Sequence, residues 1–144
     1  MIEVFIDSSV LIEGLKGNPE AVKILNYLAD GGAVAIINDI VVSEFLFHYI
    51  RLKSGVSPLT VKSSGKISEF IKEDEPLDFI TQFHILPTDE ETLLQAYNFM
   101  RRYNLLPNDA IILAACKVNN IERLATLDGD LIKVAREEGG LELL

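Results

Sequence analysis

Five short apolar runs recur along the chain, at residues 3–6, 33–37, 84–86, 123–126 and 141–143. Runs of this length, bounded by turn-forming residues, read as strands. Helical periodicity fills the intervals between them. Residues 8–16 and 19–29 follow the first run, with Asn18-Pro19 offering an N-cap and a first-turn proline. Gly31-Gly32 then breaks the chain, and Asn38 or Asp39 can cap a helix running through 40–51. Ser57-Pro58 starts a helical pattern over 59–72 that weakens at Ser63-Ser64-Gly65. Pro87-Thr88-Asp89-Glu90-Glu91 announces a helix through 92–103, and Pro107-Asn108-Asp109 opens an almost wholly apolar one. A last short helix spans 129–138 and ends at Gly139-Gly140. Strands alternating with helices predict an α/β fold, a parallel sheet flanked by helices on both faces.

Composition adds bounds to that plan. A chain of 144 residues with 49% hydrophobic content is expected to form one domain, 1–144, with one sizeable core. No apolar run approaches the roughly 18–20 residues of a membrane span, and Met1-Ile2-Glu3 runs straight into a strand with no basic leader segment. Cys116 is the lone cysteine and lies inside the apolar helix, where it reads as a buried thiol. A soluble, cytoplasmic protein with no membrane partner is the expectation.

Charge narrows the partners. A net charge of −9 and a pI near 4.6 argue against broad, unspecific embrace of nucleic acid, which requires a lysine and arginine footprint. One stretch departs from the acidic average. Between Glu44 and Glu69 there is no acid, while Arg51, Lys53, Lys62 and Lys66 all fall there, with His48 nearby. This is either a solvated helix end and loop or the phosphate-contacting arm of a nucleic-acid site, and residues 53–66 are expected to form a mobile element at the rim.

The candidate chemistry lies in four carboxylates. Asp7 follows Val4-Phe5-Ile6, Asp128 follows Leu124-Ala125-Thr126-Leu127, Asp109 opens the apolar helix, and Glu44 stands on the helix after the second strand. Each has a plain structural alternative: Asp7 and Asp109 as helix caps, Glu44 as a solvent-facing residue bonding His48 or Arg51, and Asp128-Gly129-Asp130 as a turn. Taken together they describe acids gathered beside apolar surface, where a carboxylate must be paired, hydrogen-bonded or bound to metal. Carboxylate oxygens suit magnesium or manganese, and magnesium takes only one or two of them directly while keeping several waters. With only His48 and His84 and no Glu-x-x-His helix motif, a zinc hydrolase is poorly supported. No glycine-rich phosphate loop or serine–histidine–acid pattern is present.

In these segments the chain resembles the PIN-domain family of RNA-cutting nucleases. The matching pieces are Val4-Phe5-Ile6-Asp7-Ser8-Ser9-Val10-Leu11, Val42-Ser43-Glu44, Asn108-Asp109-Ala110-Ile111-Ile112-Leu113-Ala114-Ala115, and Leu124-Ala125-Thr126-Leu127-Asp128-Gly129-Asp130-Leu131. Size and compactness look most like the VapC-type toxins of toxin–antitoxin pairs. The resemblance implies a Rossmann-like parallel sheet flanked by helices on both faces, with Mg2+ or Mn2+ at Asp7, Asp109 and Asp128 and Glu44 completing the catalytic set and orienting the nucleophile. It also implies hydrolysis of an RNA phosphodiester by metal-activated water. Ser8, Ser9 and Thr126 would support the carboxylates, and Asp130 would either replace Asp128 or hold a water. Many family members carry asparagine where Ser9 stands. A homodimer, neutralised by a cognate antitoxin whose basic tail enters the acidic cleft, is the implied assembly.

Two other functions compete. A catalytically silent PIN fold that binds RNA or protein would need no metal. An aspartyl-nucleophile phosphohydrolase would use Asp7 directly, but the acid expected two residues later in such enzymes is here Ser9.

Overall fold

A computed structural model describes residues 2–144. The elements in chain order are β1 (Glu3–Ile6), α1 (Ser8–Leu15), α2 (Pro19–Ala29), β2 (Val34–Asn38), α3 (Asp39–Ser54), α4 (Pro58–Ser63), α5 (Ile67–Phe70), α6 (Glu75–Ile80), β3 (His84–Leu86), α7 (Glu90–Tyr103), α8 (Pro107–Val118), β4 (Arg123–Ala125), α9 (Gly129–Glu138) and β5 (Glu142–Leu143).

All strand pairs are parallel, in the order β3-β2-β1-β4-β5. Val4, Phe5 and Ile6 are each fully buried. Successive strand residues point to opposite faces, so helices must cover both, as the unbroken apolar run predicts. The register pairs Val4 with Ala35 on one side and with Arg123 on the other.

The order of the strands determines where a ligand can sit. From β1 the chain builds outward through β2 and β3, then returns across β1 to place β4 on the opposite side. The connections therefore diverge at the carboxyl ends of β1 and β4, opening the crevice that sheets of this kind use for ligands. Asp7 stands directly after β1, and its backbone N–H donates to Ala125 O of β4 at 2.9 Å. Asp128 begins α9 just beyond β4.

Side-chain caps mark several of the helix starts. Asn18 accepts from Glu20 N, Asn38 from Val41 N, Ser57 from Leu59 N and Asp89 from Thr92 N. The predicted helix over 59–72 is instead two short helices, α4 and α5, because Gly65 adopts φ +70° between them. The 53–66 stretch, expected as a rim element, takes up the end of α3 and all of α4. Ser57 caps α4, and Pro58 and Val61 bury their side chains in a segment packed on α3. Helix α6 was not anticipated from the pattern. No helix among the described residues is long and apolar enough to cross a membrane.

Candidate active site

Four separate segments deliver the four carboxylates to the crevice beyond β1 and β4. Asp7 is the most deeply placed, at 4% exposure. It occupies the N-cap position of α1, yet its side chain makes no capping bond. Its Oδ2 instead accepts from Ser9 Oγ at 2.6 Å and from Thr126 Oγ1 at 2.9 Å. Those hydroxyls are themselves anchored: Leu127 N donates to Ser9 Oγ at 3.0 Å, and Asp128 N donates to Thr126 Oγ1 at 3.1 Å. The start of α1 and the end of β4 are thus tied together through one carboxylate.

Glu44 lies one turn into α3 and is half-buried. It bonds neither His48 nor Arg51. Ser8 Oγ donates to its Oε1 at 3.2 Å, and Asn108 Nδ2 donates to its Oε2 at 3.4 Å. The contact from Asn108 went unread in the sequence, although an amide directly before Asp109 at a helix start was its available signal. Asp109 likewise does not cap its helix: the N-cap of α8 is Leu106, with no side-chain bond. Asp128 does cap, its Oδ1 accepting from Asp130 N at 2.9 Å and Leu131 N at 3.1 Å. The structural alternative raised for Asp128 is therefore real, but it occupies one oxygen only.

The electrostatics show that these acids share a site. Burial raises the carboxyl of Asp109, and the neighbouring charges of Asp128, Asp7, Glu44 and Asp130 add to it, so that it is pushed up to about 6. Glu44 is raised as well, by burial first and then by Asp7, against the opposing hydrogen bonds from Asn108 and Ser8. None of the four acids belongs to an ion pair among the described residues. Carboxylates held together without a cation are under mutual repulsion, and that donor set fits a hard divalent ion. Among the described residues no three acids, histidines or cysteines close into a ready-made cage. An ion that retains part of its water shell does not require one.

The basic candidates lie elsewhere. Arg51 and Lys53 are exposed in the last turns of α3, Lys62 is exposed on α4, and Lys66 is exposed at the start of α5. Lys53 rests over the Tyr49 ring at 5.4 Å. Arg51 follows Glu44 by seven residues, about 10 Å along the helix at ~1.5 Å per residue, and none of the four cations pairs with an acid of the cluster.

Beside the acids lies a polar cavity of about 380 Å³ between the α7–α8 connection and α9. Its lining includes Asp109 and, from α9, Asp130, Lys133 and Glu137.

Comparison with known proteins places this geometry among its relatives. Residues 4–137 match the family described as PIN domain. Ribonuclease VapC2 of Methanocaldococcus jannaschii is 32% identical over 92% of this chain and 89% of its own length. Ribonuclease VapC6 of the same organism is 38% identical over 91% and 92% respectively. Among solved structures, a toxin-antitoxin complex from Klebsiella pneumoniae superposes with a TM-score of 0.67 at 19% identity, covering 97% of this chain and 96% of that one.

Proposed function

The chain belongs to the PIN-domain family, and from that premise we propose that it is a magnesium- or manganese-dependent endoribonuclease, the toxin of a toxin–antitoxin pair. The observation that carries this reading is the meeting of Asp7, Glu44, Asp109 and Asp128 at one sheet edge, each raising or feeling the others' charge, with no side-chain cation between them. Relatives named as ribonucleases support RNA as the substrate.

Asp7, Asp109 and Asp128 would hold the ion. A bound divalent cation supplies positive charge to the cluster, polarises a phosphate oxygen and makes water nucleophilic at neutral pH. The protein's own groups do the rest. Ser9 and Thr126 both bond Oδ2 of Asp7 and leave Oδ1 to the ion. Glu44, oriented by Ser8 and Asn108 and raised in proton affinity, positions the attacking water and receives its proton. Of the two acids after β4, Asp128 acts more strongly than Asp130 on Asp109, which supports Asp128 as the fourth member. Arg51, Lys53, Lys62 and Lys66 would meet the RNA backbone away from the cut. The protein would act as a homodimer, and the uncompensated acids suit an antitoxin that presents a basic tail.

The test begins with melting temperature with and without manganese, in wild type and Asp7→Asn. A ligand that binds only the folded state raises it with the logarithm of its excess over the dissociation constant. A shift present in wild type and lost in the variant is the expected result, followed by RNA cleavage that Asp109→Asn abolishes. No shift with excess metal, together with no cleavage by wild type, would favour the silent binding module instead.

A further inference from the structure

The cavity beside the acids has walls of unlike chemistry. One is the face of α9 that carries Asp130, Lys133 and Glu137, spaced three and four residues apart and therefore stacked along the helix. The other is the α7–α8 connection, with Tyr103, Asn104 and Leu106. Leu106 is 78% exposed, the most exposed large apolar side chain among the described residues. Tyr103 is held in place, its hydroxyl donating to the Glu138 carboxylate and its ring covered by Arg102 at 5.6 Å. Asn104 sits in the left-handed region at φ 55°, ending α7. Lys133 makes no ion pair within 4.0 Å among the described residues, although two acids share its helix face.

We propose that this cavity is a base-recognition subsite selective for guanine, receiving the nucleotide next to the bond that is cut. The proposal rests on the ribonuclease reading for its substrate and on the cavity for its selectivity. The cavity is at the small end of ligand sites, about 300–1,000 Å³, and Asp109 of the acid cluster is among its lining residues, so a base lodged there lies next to that cluster. Carboxylates accept hydrogen bonds only, and lysine donates only. Guanine alone among the four bases presents two adjacent donors, N1–H and N2–H2, next to an acceptor, O6. The donors match Asp130 or Glu137, and O6 matches Lys133. Adenine and cytosine place a ring-nitrogen acceptor where the second donor should be, and uracil flanks its one N–H with two carbonyls. Leu106 and Tyr103, both lining the cavity, supply the apolar contact that a base needs. The acids would also suit an arginine side chain, which has the same paired donors. Lys133 decides between them, because it repels a guanidinium cation and attracts a carbonyl oxygen.

Titration of the 15N-labelled chain with guanosine and with uridine tests this without requiring activity. The expected result is saturable shifts of amides at 103–106 and 130–137, with guanosine bound roughly tenfold more tightly than uridine, the scale of one good paired base contact. Lys133→Met should erase the preference. Asn104→Gly, which keeps the left-handed backbone, should weaken binding. No guanosine binding, equal binding of the two nucleosides, an unchanged preference in Lys133→Met, or tighter binding of N-acetyl-arginine amide would each overturn the proposal, the last in favour of a peptide cation. Cleavage is scored separately. If guanosine binds selectively but wild type cuts no RNA, only the nuclease reading falls; if RNA is cut and Asp109→Asn abolishes it while guanosine fails to bind, only the subsite falls.

Discussion

Asp7 shows how a buried acid is made useful rather than merely tolerated. One of its oxygens takes hydrogen bonds from two hydroxyls, Ser9 and Thr126, which fix the plane of the carboxylate. Partners of this kind typically alter metal affinity by about 10–100-fold when removed. Thr126→Val should therefore cut manganese affinity, read from the metal-induced melting shift, on the order of tenfold. It should also lower the metal-free melting temperature, since Asp128 N would lose its acceptor. Thr126→Ser should restore both, and an unchanged metal response in the valine variant would remove Thr126 from the site. Asp109 makes a second prediction, one of sign. Its folded carboxyl is raised to about 6 from an ordinary 3.8. A raised acid favours the folded state while protonated, and that advantage is lost as pH rises through this interval. Metal-free Asp109→Asn, which lacks the charge, should thus melt above wild type at pH 7.5, and the gap should close as pH falls from about 6 to about 4. A gap constant with pH would mean that Asp109 is not held against its neighbours' charge. At this scale the sequence was informative where an acid directly follows an apolar run or opens an apolar helix, as at Asp7, Asp109 and Asp128. It was silent on the partners of Glu44, because Ser8 and Asn108 lie 36 and 64 positions away.

Elements were legible to the extent that their ends are marked by local chemistry. Helix α2 begins and ends where the Asn18-Pro19 start and the glycine break imply, and α9 fills 129–138 as the pattern requires. The region from 59 to 80 was misread because its cues conflict. The serines and Gly65 divide one apparent periodicity into α4 and α5, and α6 starts within an acidic stretch at Glu75-Pro76, where only a first-turn proline marks it. Helix α3 shows what a cap contributes to the site. Asn38 ends β2 and caps α3 through Val41 N at 2.9 Å, while its own Nδ2 has no partner and is buried. That one residue sets the start of the helix that presents Glu44. Asn38→Ala should cost about 1 kcal/mol of stability, whereas Asn38→Ser, which retains a capping oxygen, should lose less. Denaturant unfolding of the two variants checks this, and equal losses would show that packing rather than the cap positions α3.

At the scale of the molecule, alternation of strands and helices implies a parallel sheet but leaves open which strands become neighbours. Placing β4 against β1 is a long-range choice of packing, and it brings Asp128 beside Asp7. The same choice separates charge. Acids collect at the β1–β4 crevice, while Arg51, Lys53, Lys62 and Lys66 run along α3 to α5 in a chain whose net charge is −9. Salt then acts in opposite directions on two observables. It should stabilise the metal-free fold by screening the acid cluster, where Debye lengths shrink from about 10 Å at 0.1 M to about 3 Å at 1 M. It should also weaken RNA binding, but shallowly, because each phosphate neutralised on a single strand contributes only about −0.7 to the log–log slope. Four cations set a limit near −3. A salt titration of RNA affinity, made with the metal concentration fixed and Asp109→Asn used to prevent cleavage, measures that slope directly. A value much steeper than the limit would require cations beyond the α3–α5 track, and would move the RNA path to another face of the protein.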